Sequence, residues 1–160
     1  MNGQQGVETE TPVEVDGFEA VYARLWPEML RVAHLLTGSQ ALAEEVTQDA
    51  FLGLYRAWDR VENPAAYLRR SLVNTSNSQF RRDRRRALHP ATRVTVVLPP
   101  DVDEVWQQLK VLGRQQRAVV VLRFYEDLSL AEIAVVLGVS VGTVKSTLSR
   151  SLRRLKEVLA

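Results

Sequence analysis

An all-α chain of two small helical domains joined by a flexible linker is what this sequence predicts, and three observations carry that reading. Apolar residues recur at three- and four-residue spacing through most of the 160 residues, between residues that cap helices; this is the pattern of amphipathic helices. The one β-type run, Val94 to Leu98, is too short to build a sheet. It lies in residues 87–100 with Pro90, Pro99 and Pro100, where helices are interrupted and a linker is expected.

Residues 1–15 are polar, with no apolar period, and are expected to be a disordered tail. The first domain is expected over residues 16–86. Asp16 with Glu19 has the spacing of a capping box, and Phe18, Val21, Leu25, Met29, Val32 and Leu36 carry a helical stripe to Gly38. Pro27 falls inside the stripe and is expected to kink or break the helix, because it lacks an amide donor and crowds the preceding turn. His34 reads as a half-buried packing residue. Ser39 caps a second helix with Leu42, Val46, Ala50 and Leu54 as its seam, and Phe51 and Trp58 widen it. After a loop holding Arg60, Asn63 and Pro64 supply an N-cap and first-turn proline for a third helix. Leu68, Leu72, Thr75 and Gln79 form one of its faces.

The second domain is expected over residues 101–160. Asp101 or Asp103 opens a helix with Val105, Leu109 and Leu112 inside, Gly113 breaks it, and Gln115 to Tyr125 forms a strongly apolar helix. Ser129 with Glu132 is a capping box for a short helix through Leu130, Ile133, Ala134 and Leu137; Gly138 permits the turn, and Ser140 caps the last helix. There Val144, Leu148, Leu152 and Leu155 fall within about 80° at roughly 100° per residue, which predicts one buried seam.

Three exposed faces bear on function. The last helix presents Gly142, Thr143, Lys145, Ser146, Ser149, Arg150 and Arg153 without a carboxylate among them. In a helix-turn-helix this face enters the major groove, where hydroxyls and Arg reach bases and phosphates. The third helix shows Arg70, Asn74, Asn77 and Arg81, a stripe of donors ending in the run Arg81 to Arg86, which phosphates attract. The second helix sets Leu52 among Glu45, Gln48 and Asp49. An apolar anchor ringed by polar groups suits protein docking, although residue physics alone favours an ordinary solvated face there.

Charge follows the same division. Residues 1–62 hold 4 basic and 11 acidic side chains, and residues 63–100 hold 8 and 1; the front should be repelled by phosphates and the middle drawn to them. With no cysteine and two histidines, His34 and His89, no metal site is expected; without a Gly-rich phosphate loop no cofactor is expected, and no catalytic residue is identified. No apolar run exceeds five residues, the length of Ala118 to Leu122, far short of the roughly 18 residues of a membrane span, and the N-terminus lacks a signal pattern. No membrane insertion and a cytoplasmic location are therefore expected. A regulator binding duplex alone and an enzyme are the rival classes; the first would normally carry a dimerisation seam and the second a site, and neither is evident.

Taken in order, Ala43 to Phe51, Asn63 to Arg70 with Asn74 and the Arg run, Arg117 to Phe124, Ser129 to Ile133 and Gly142 to Ser146 resemble the extracytoplasmic-function class of sigma factors, small specificity subunits of RNA polymerase. The resemblance implies a three-helix sigma region 2 domain and a four-helix region 4 domain with a C-terminal helix-turn-helix. It implies that Glu45, Gln48, Asp49 and Leu52 dock on core RNA polymerase at the β′ coiled coil, reversing the solvated-face reading. Arg60, Asn63, Arg70, Asn74, Asn77 and Arg81 would read the minus-ten element. Gly142, Thr143, Lys145, Ser146, Ser149, Arg150 and Arg153 would read the minus-thirty-five element. The implied partners are core polymerase (β′ coiled coil and β flap), promoter DNA and, as a further partner known in the class, an anti-sigma factor. Thr75, Ser76, Asn77 and Ser78 depart from the apolar residues and Asp usual in the family, and Gly113 stands where Pro is common.

Overall fold

A computed structural model of the chain describes residues 17–86 and 100–160, with the backbone alone for 78–86 and Pro100. The expected tail, the Asp16 cap, residues 87–99 of the expected linker and the side chains of Gln79 and Arg81 lie outside the described residues. Seven α-helices are described: α1 Phe18–Thr37, α2 Gln40–Ala57, α3 Pro64–Arg86, α4 Pro100–Leu109, α5 Arg114–Val120, α6 Leu130–Leu137 and α7 Val141–Leu159. A 3₁₀ turn, Trp58–Arg60, follows α2, and a π turn, Val121–Tyr125, follows α5.

The caps act locally. Ser39 Oγ accepts from the Leu42 amide (3.3 Å), Asn63 Oδ1 from Ala66 (3.1 Å) and Ser140 Oγ from Thr143 (3.1 Å). These satisfy amides that the first helical turn leaves without partners. Gly17 stands at the N-cap of α1, with no side-chain bond, and one expected detail changes: α1 is not broken at Pro27. Pro27 and Ala23 are both exposed, so the carbonyl that loses its amide partner is left to water and the helix survives.

α1, α2 and α3 pack on one another around Met29, Leu35, Val46, Leu54, Leu68 and Leu72, all fully buried. α5, α6 and α7 pack around Val119, Leu122, Ile133 and Val144. The two groups share a boundary: α4 lies on α1, and α6 on α3. The boundary decides which side of α4 is inside. Val102, Leu109 and Leu112 are buried, whereas Val105, expected inside, is 39 % exposed, because the face carrying Trp106 turns toward the end of α1. Pro100, assigned to the linker, begins α4.

Arg117 closes this boundary. Its guanidinium is buried and donates to the carbonyls of Leu109 (3.3 Å), Leu112 (2.9 Å) and Leu36 (3.1 Å), while lying 4.4 Å from the centre of the Trp106 ring. His34, expected half-buried, is almost fully buried, and its Nε2 meets Asp103 Oδ1 at 2.8 Å.

Two glycines end helices in the left-handed region, Gly38 at φ 69° after α1 and Gly138 at φ 65° after α6. A Cβ on Gly138 would meet nothing within 4 Å, whereas one on Gly38 would collide with the Trp106 ring. Gly138→Ala is therefore expected to cost only the backbone strain, about 1–2 kcal/mol, and Gly38→Ala distinctly more. Urea denaturation of the two variants checks the order.

Candidate nucleic-acid interface

α6 and α7 are bent 103° apart, within the range of helix-turn-helix pairs. Both caps predicted for this pair form. Ser129 Oγ accepts from the Glu132 amide (3.1 Å), and Glu132 Oε2 accepts from the Ser129 amide (2.7 Å). The Gly138 amide closes α6 on Val135 (3.3 Å). At the head of α7 the Ser140 and Thr143 hydroxyls are 2.9 Å apart, which fixes the first turn at the end that would meet a groove.

Gly142, Lys145, Ser146, Ser149, Arg150 and Arg153 are all exposed, and Thr143 is half-buried. Ser146 Oγ donates to the Thr143 carbonyl (3.1 Å), and Arg150 Nε to Ser146 (3.3 Å), so both side chains lie along the helix. Arg154, one residue past Arg153, instead donates to the Val111 carbonyl (3.0 Å) and ties α7 to the turn after α4. The seam behind this face is rotated from expectation. Leu152 is 42 % exposed, while Thr147 and Ser151 are buried beside Val144. Ser151 can be buried because its hydroxyl donates to the Thr147 carbonyl (2.7 Å), leaving no unpaired donor.

On α3, Arg70 and Asn74 are exposed and Asn77 is half-buried. Asn74 and Asn77 line, with Val73, one wall of a hollow of about 220 Å³ whose other wall is Arg114, Gln115, Ala118 and Leu137. The middle of the stripe therefore faces the second helical group. Arg60 and Asn63 are exposed below it, and the Asn63 carboxamide oxygen is engaged as the α3 cap.

Arg69, adjacent to Arg70, is a polar partner that the stripe pattern passes over. Neighbours on a helix stand about 100° apart, so Arg69 turns inward. Its Nε donates to Glu126 Oε2 (2.5 Å), and its guanidinium lies 3.7 Å from Glu28 Oε1. The Glu126 side chain is 1 % exposed. Burial pushes its carboxyl above the ordinary value; Arg69 opposes the rise and Glu28 adds to it.

On α2, Glu45, Gln48 and Asp49 are exposed and Leu52 is 48 % exposed. Leu52 and Gln48 continue into a shallow apolar groove lined by Phe18, Tyr22, Trp26, Phe51 and Tyr55. Aromatic contacts fix its walls: Tyr22 stacks on Trp26 with centroids 5.2 Å apart, and Phe18 meets Tyr55 edge-on at 5.1 Å. Among the described residues no three His, Cys, Asp or Glu side chains gather as a metal set, and no single helix is long and apolar enough to cross a membrane.

The Glu132 carboxyl is held below its ordinary 4.5 by hydrogen bonds from the Ser129 amide and hydroxyl. A lowered carboxyl stabilises the fold at pH above its ordinary value, and that contribution disappears as pH falls through the lowered one. Glu132→Gln is accordingly expected to lower the unfolding midpoint from pH 7 down to about pH 4.5, with the difference from the unsubstituted chain shrinking as pH falls below that. Urea titrations across that range check it.

A family model described as Sigma-70 region 2 matches residues 21–86, and one described as Sigma-70, region 4 matches residues 103–155. The chain is 36 % identical over 156 residues to an RNA polymerase sigma-E factor of Streptomyces coelicolor, covering 91 % of this chain and 88 % of that protein. It is 30 % identical over 153 residues to the ECF RNA polymerase sigma factor SigM of Mycobacterium tuberculosis, covering 89 % and 76 %. Its fold is similar to that of the sigma factor RpoE from Bartonella quintana, solved with the anti-sigma factor NepR: TM-score 0.74, 26 % identity, 89 % of this chain and 96 % of that one. It is also similar to CnrH, solved with the cytosolic domain of CnrY: TM-score 0.67, 26 % identity, covering 89 % and 86 %.

Proposed function

This chain belongs to the extracytoplasmic-function class of sigma factors, which recruit core RNA polymerase to promoters and start transcription, and we propose that its three exposed faces divide that work. Residues 16–86 act as the domain that docks on polymerase and reads the minus-ten element, and residues 101–160 as the domain that reads the minus-thirty-five element, with residues 87–100 setting the reach between them. The single observation that carries the assignment is the 103° helix pair with its carboxylate-free face turned to solvent.

In this reading Gly142 lets the α7 backbone approach the groove, Thr143, Ser146 and Ser149 offer hydroxyls, and Lys145, Arg150 and Arg153 meet phosphates or base edges. Arg60, Asn63, Arg70, Asn74, Asn77 and Arg81 engage a strand as it unpairs. Opening costs a few kcal/mol per unstacked base, offset by stacking and cationic contacts. Glu45, Gln48 and Asp49 ring Leu52 as the anchor on the polymerase β′ coiled coil, and region 4 meets the β flap. The protein itself breaks no bond; the chemistry belongs to polymerase. It works in the cytoplasm, where polymerase and promoter are. An anti-sigma protein is a fitting further partner, as two structural relatives were solved bound to other proteins, one of them a named anti-sigma factor.

Run-off transcription with core polymerase over a library of upstream sequences tests the reading; promoter-dependent product is expected, and its absence would overturn it. Arg150→Ala and Arg153→Ala should each weaken binding to upstream duplex. Where the lost contact is to a phosphate, the salt dependence should become shallower by about one in log–log slope. Leu52→Ala should lower affinity for core polymerase by about 1 kcal/mol or more in a binding titration, as expected of a buried anchor.

A further inference from the structure

Between the first half of α1 and the second half of α2 the fold leaves an apolar groove open to solvent. Tyr55 is 63 % exposed and Tyr22 39 %, and with Leu52 they line it beside the buried Phe51. The rings hold one another: Tyr22 stacks on Trp26 and also meets Phe51, centroids 4.9 Å apart. The groove therefore keeps its shape without a guest, and a contiguous exposed apolar surface of this kind marks a binding site. Its position points to the occupant. Phe18 is both the first residue of α1 and part of the lining, so the sixteen residues that precede Gly17 join the helix at one end of the groove.

Close to that end the sequence carries an apolar cluster, Pro12, Val13 and Val15, all outside the described residues. In an extended segment alternate side chains share a face, so Val13 and Val15 can both turn to the rings. Proline, held to an extended backbone, is a residue that aromatic grooves receive. Reach is sufficient: Phe18 to Trp26 spans about 12 Å of helix, and four extended residues cover about 13 Å. Charge opposes the docking, since Glu14 and Asp16 share the sign of the exposed Glu19 and Glu45. Exposed charges of this kind interact weakly and are screened by salt, whereas burial of two valines against rings is not. So short a tether also keeps the effective concentration high. We infer that residues 12–15 seat in the aromatic groove of the free protein, where they cover Leu52 and Gln48, and that core polymerase displaces them when it docks. The competition rests on the assignment of Leu52 and Gln48 to polymerase; the seat itself does not.

Disulfide trapping in the full chain tests the seat, because the sequence has no cysteine of its own. Val13→Cys is combined either with Gln48→Cys, which lines the groove, or with Ala23→Cys, which is exposed on α1, outside the groove and nearer to Gly17 along the helix. A free tether meets Ala23 at least as often as Gln48. A segment seated nine-tenths of the time leaves about one-tenth for any other encounter, so the Gln48 pair is expected to oxidise about tenfold faster than the Ala23 pair. Equal rates would overturn the seat. Gln48→Cys alone linking two chains faster than Ala23→Cys alone would give the groove to a second copy and overturn it as well. By the same arithmetic Val13→Ser combined with Val15→Ser is expected to raise affinity for core polymerase up to about tenfold, with affinity for upstream duplex unchanged. Trapping at Gln48 without that gain would overturn the competition. If neither the unsubstituted chain nor the double variant binds core polymerase, the polymerase reading of α2 fails and the competition with it, whereas trapping, which needs no polymerase, still decides whether residues 12–15 fill the groove.

Discussion

A buried guanidinium governs how this molecule holds together. Arg117 sits where the ends of α1 and α4 converge on α5, and it reaches carbonyls from both ends. Helix C-termini carry carbonyls without intrahelical partners and the negative end of the helix dipole. A planar cation with five donors can satisfy three such groups at once, where an ammonium offers no matching fork. Burial and neighbouring Arg114 lower its pKa, yet an arginine remains protonated in proteins, so the charge is fixed and the carbonyls must stay. The Trp106 ring on its other side excludes water and uses the same cation. The placement of α4 on α1, and with it the closed boundary, follows from this one residue.

Most of the architecture was legible because it is locally encoded. Ser39, Asn63, Ser129 and Ser140 act through bonds to amides three residues on, and such bonds depend on spacing alone. Gly38 and Gly138 were legible for the same reason. What sequence periodicity misses is tertiary choice. Leu152 belongs to the apolar seam of α7 by angle, but Thr147 and Ser151 are the residues buried, since hydroxyls that bond back to their own helix tolerate a core. Val105 and Trp106 compete for the inner side of α4, and the larger ring, with a cation to cover, takes it.

The candidate faces show the same split. The exposure of Glu45, Gln48, Asp49 and Leu52, and of the polar side of α7, follows from helical phase and was legible. The different fates of Arg69 and Arg70 were only half legible: phase says that both cannot lie on one stripe, but that a carboxylate 57 residues away receives Arg69 is a fact of packing. Arg117 looked like part of a family motif and an apolar helix, and nothing local marks it as the joint between two domains.

The π turn after α5 gives this packing its delicacy. Across Val121–Tyr125 the Glu126 amide reaches back five residues to Val121 (3.1 Å), so the turn carries one residue more than an α-helical turn would. An extra residue changes helical phase by about 100°, and it is in this shifted phase that Glu126 arrives beside Arg69. Loss of a single residue within the turn would let the segment relax to ordinary helix with every apolar residue still available for the core, yet Glu126 would point elsewhere. The register of one widened turn, more than the identity of any side chain in it, thus meters how firmly the two halves hold each other.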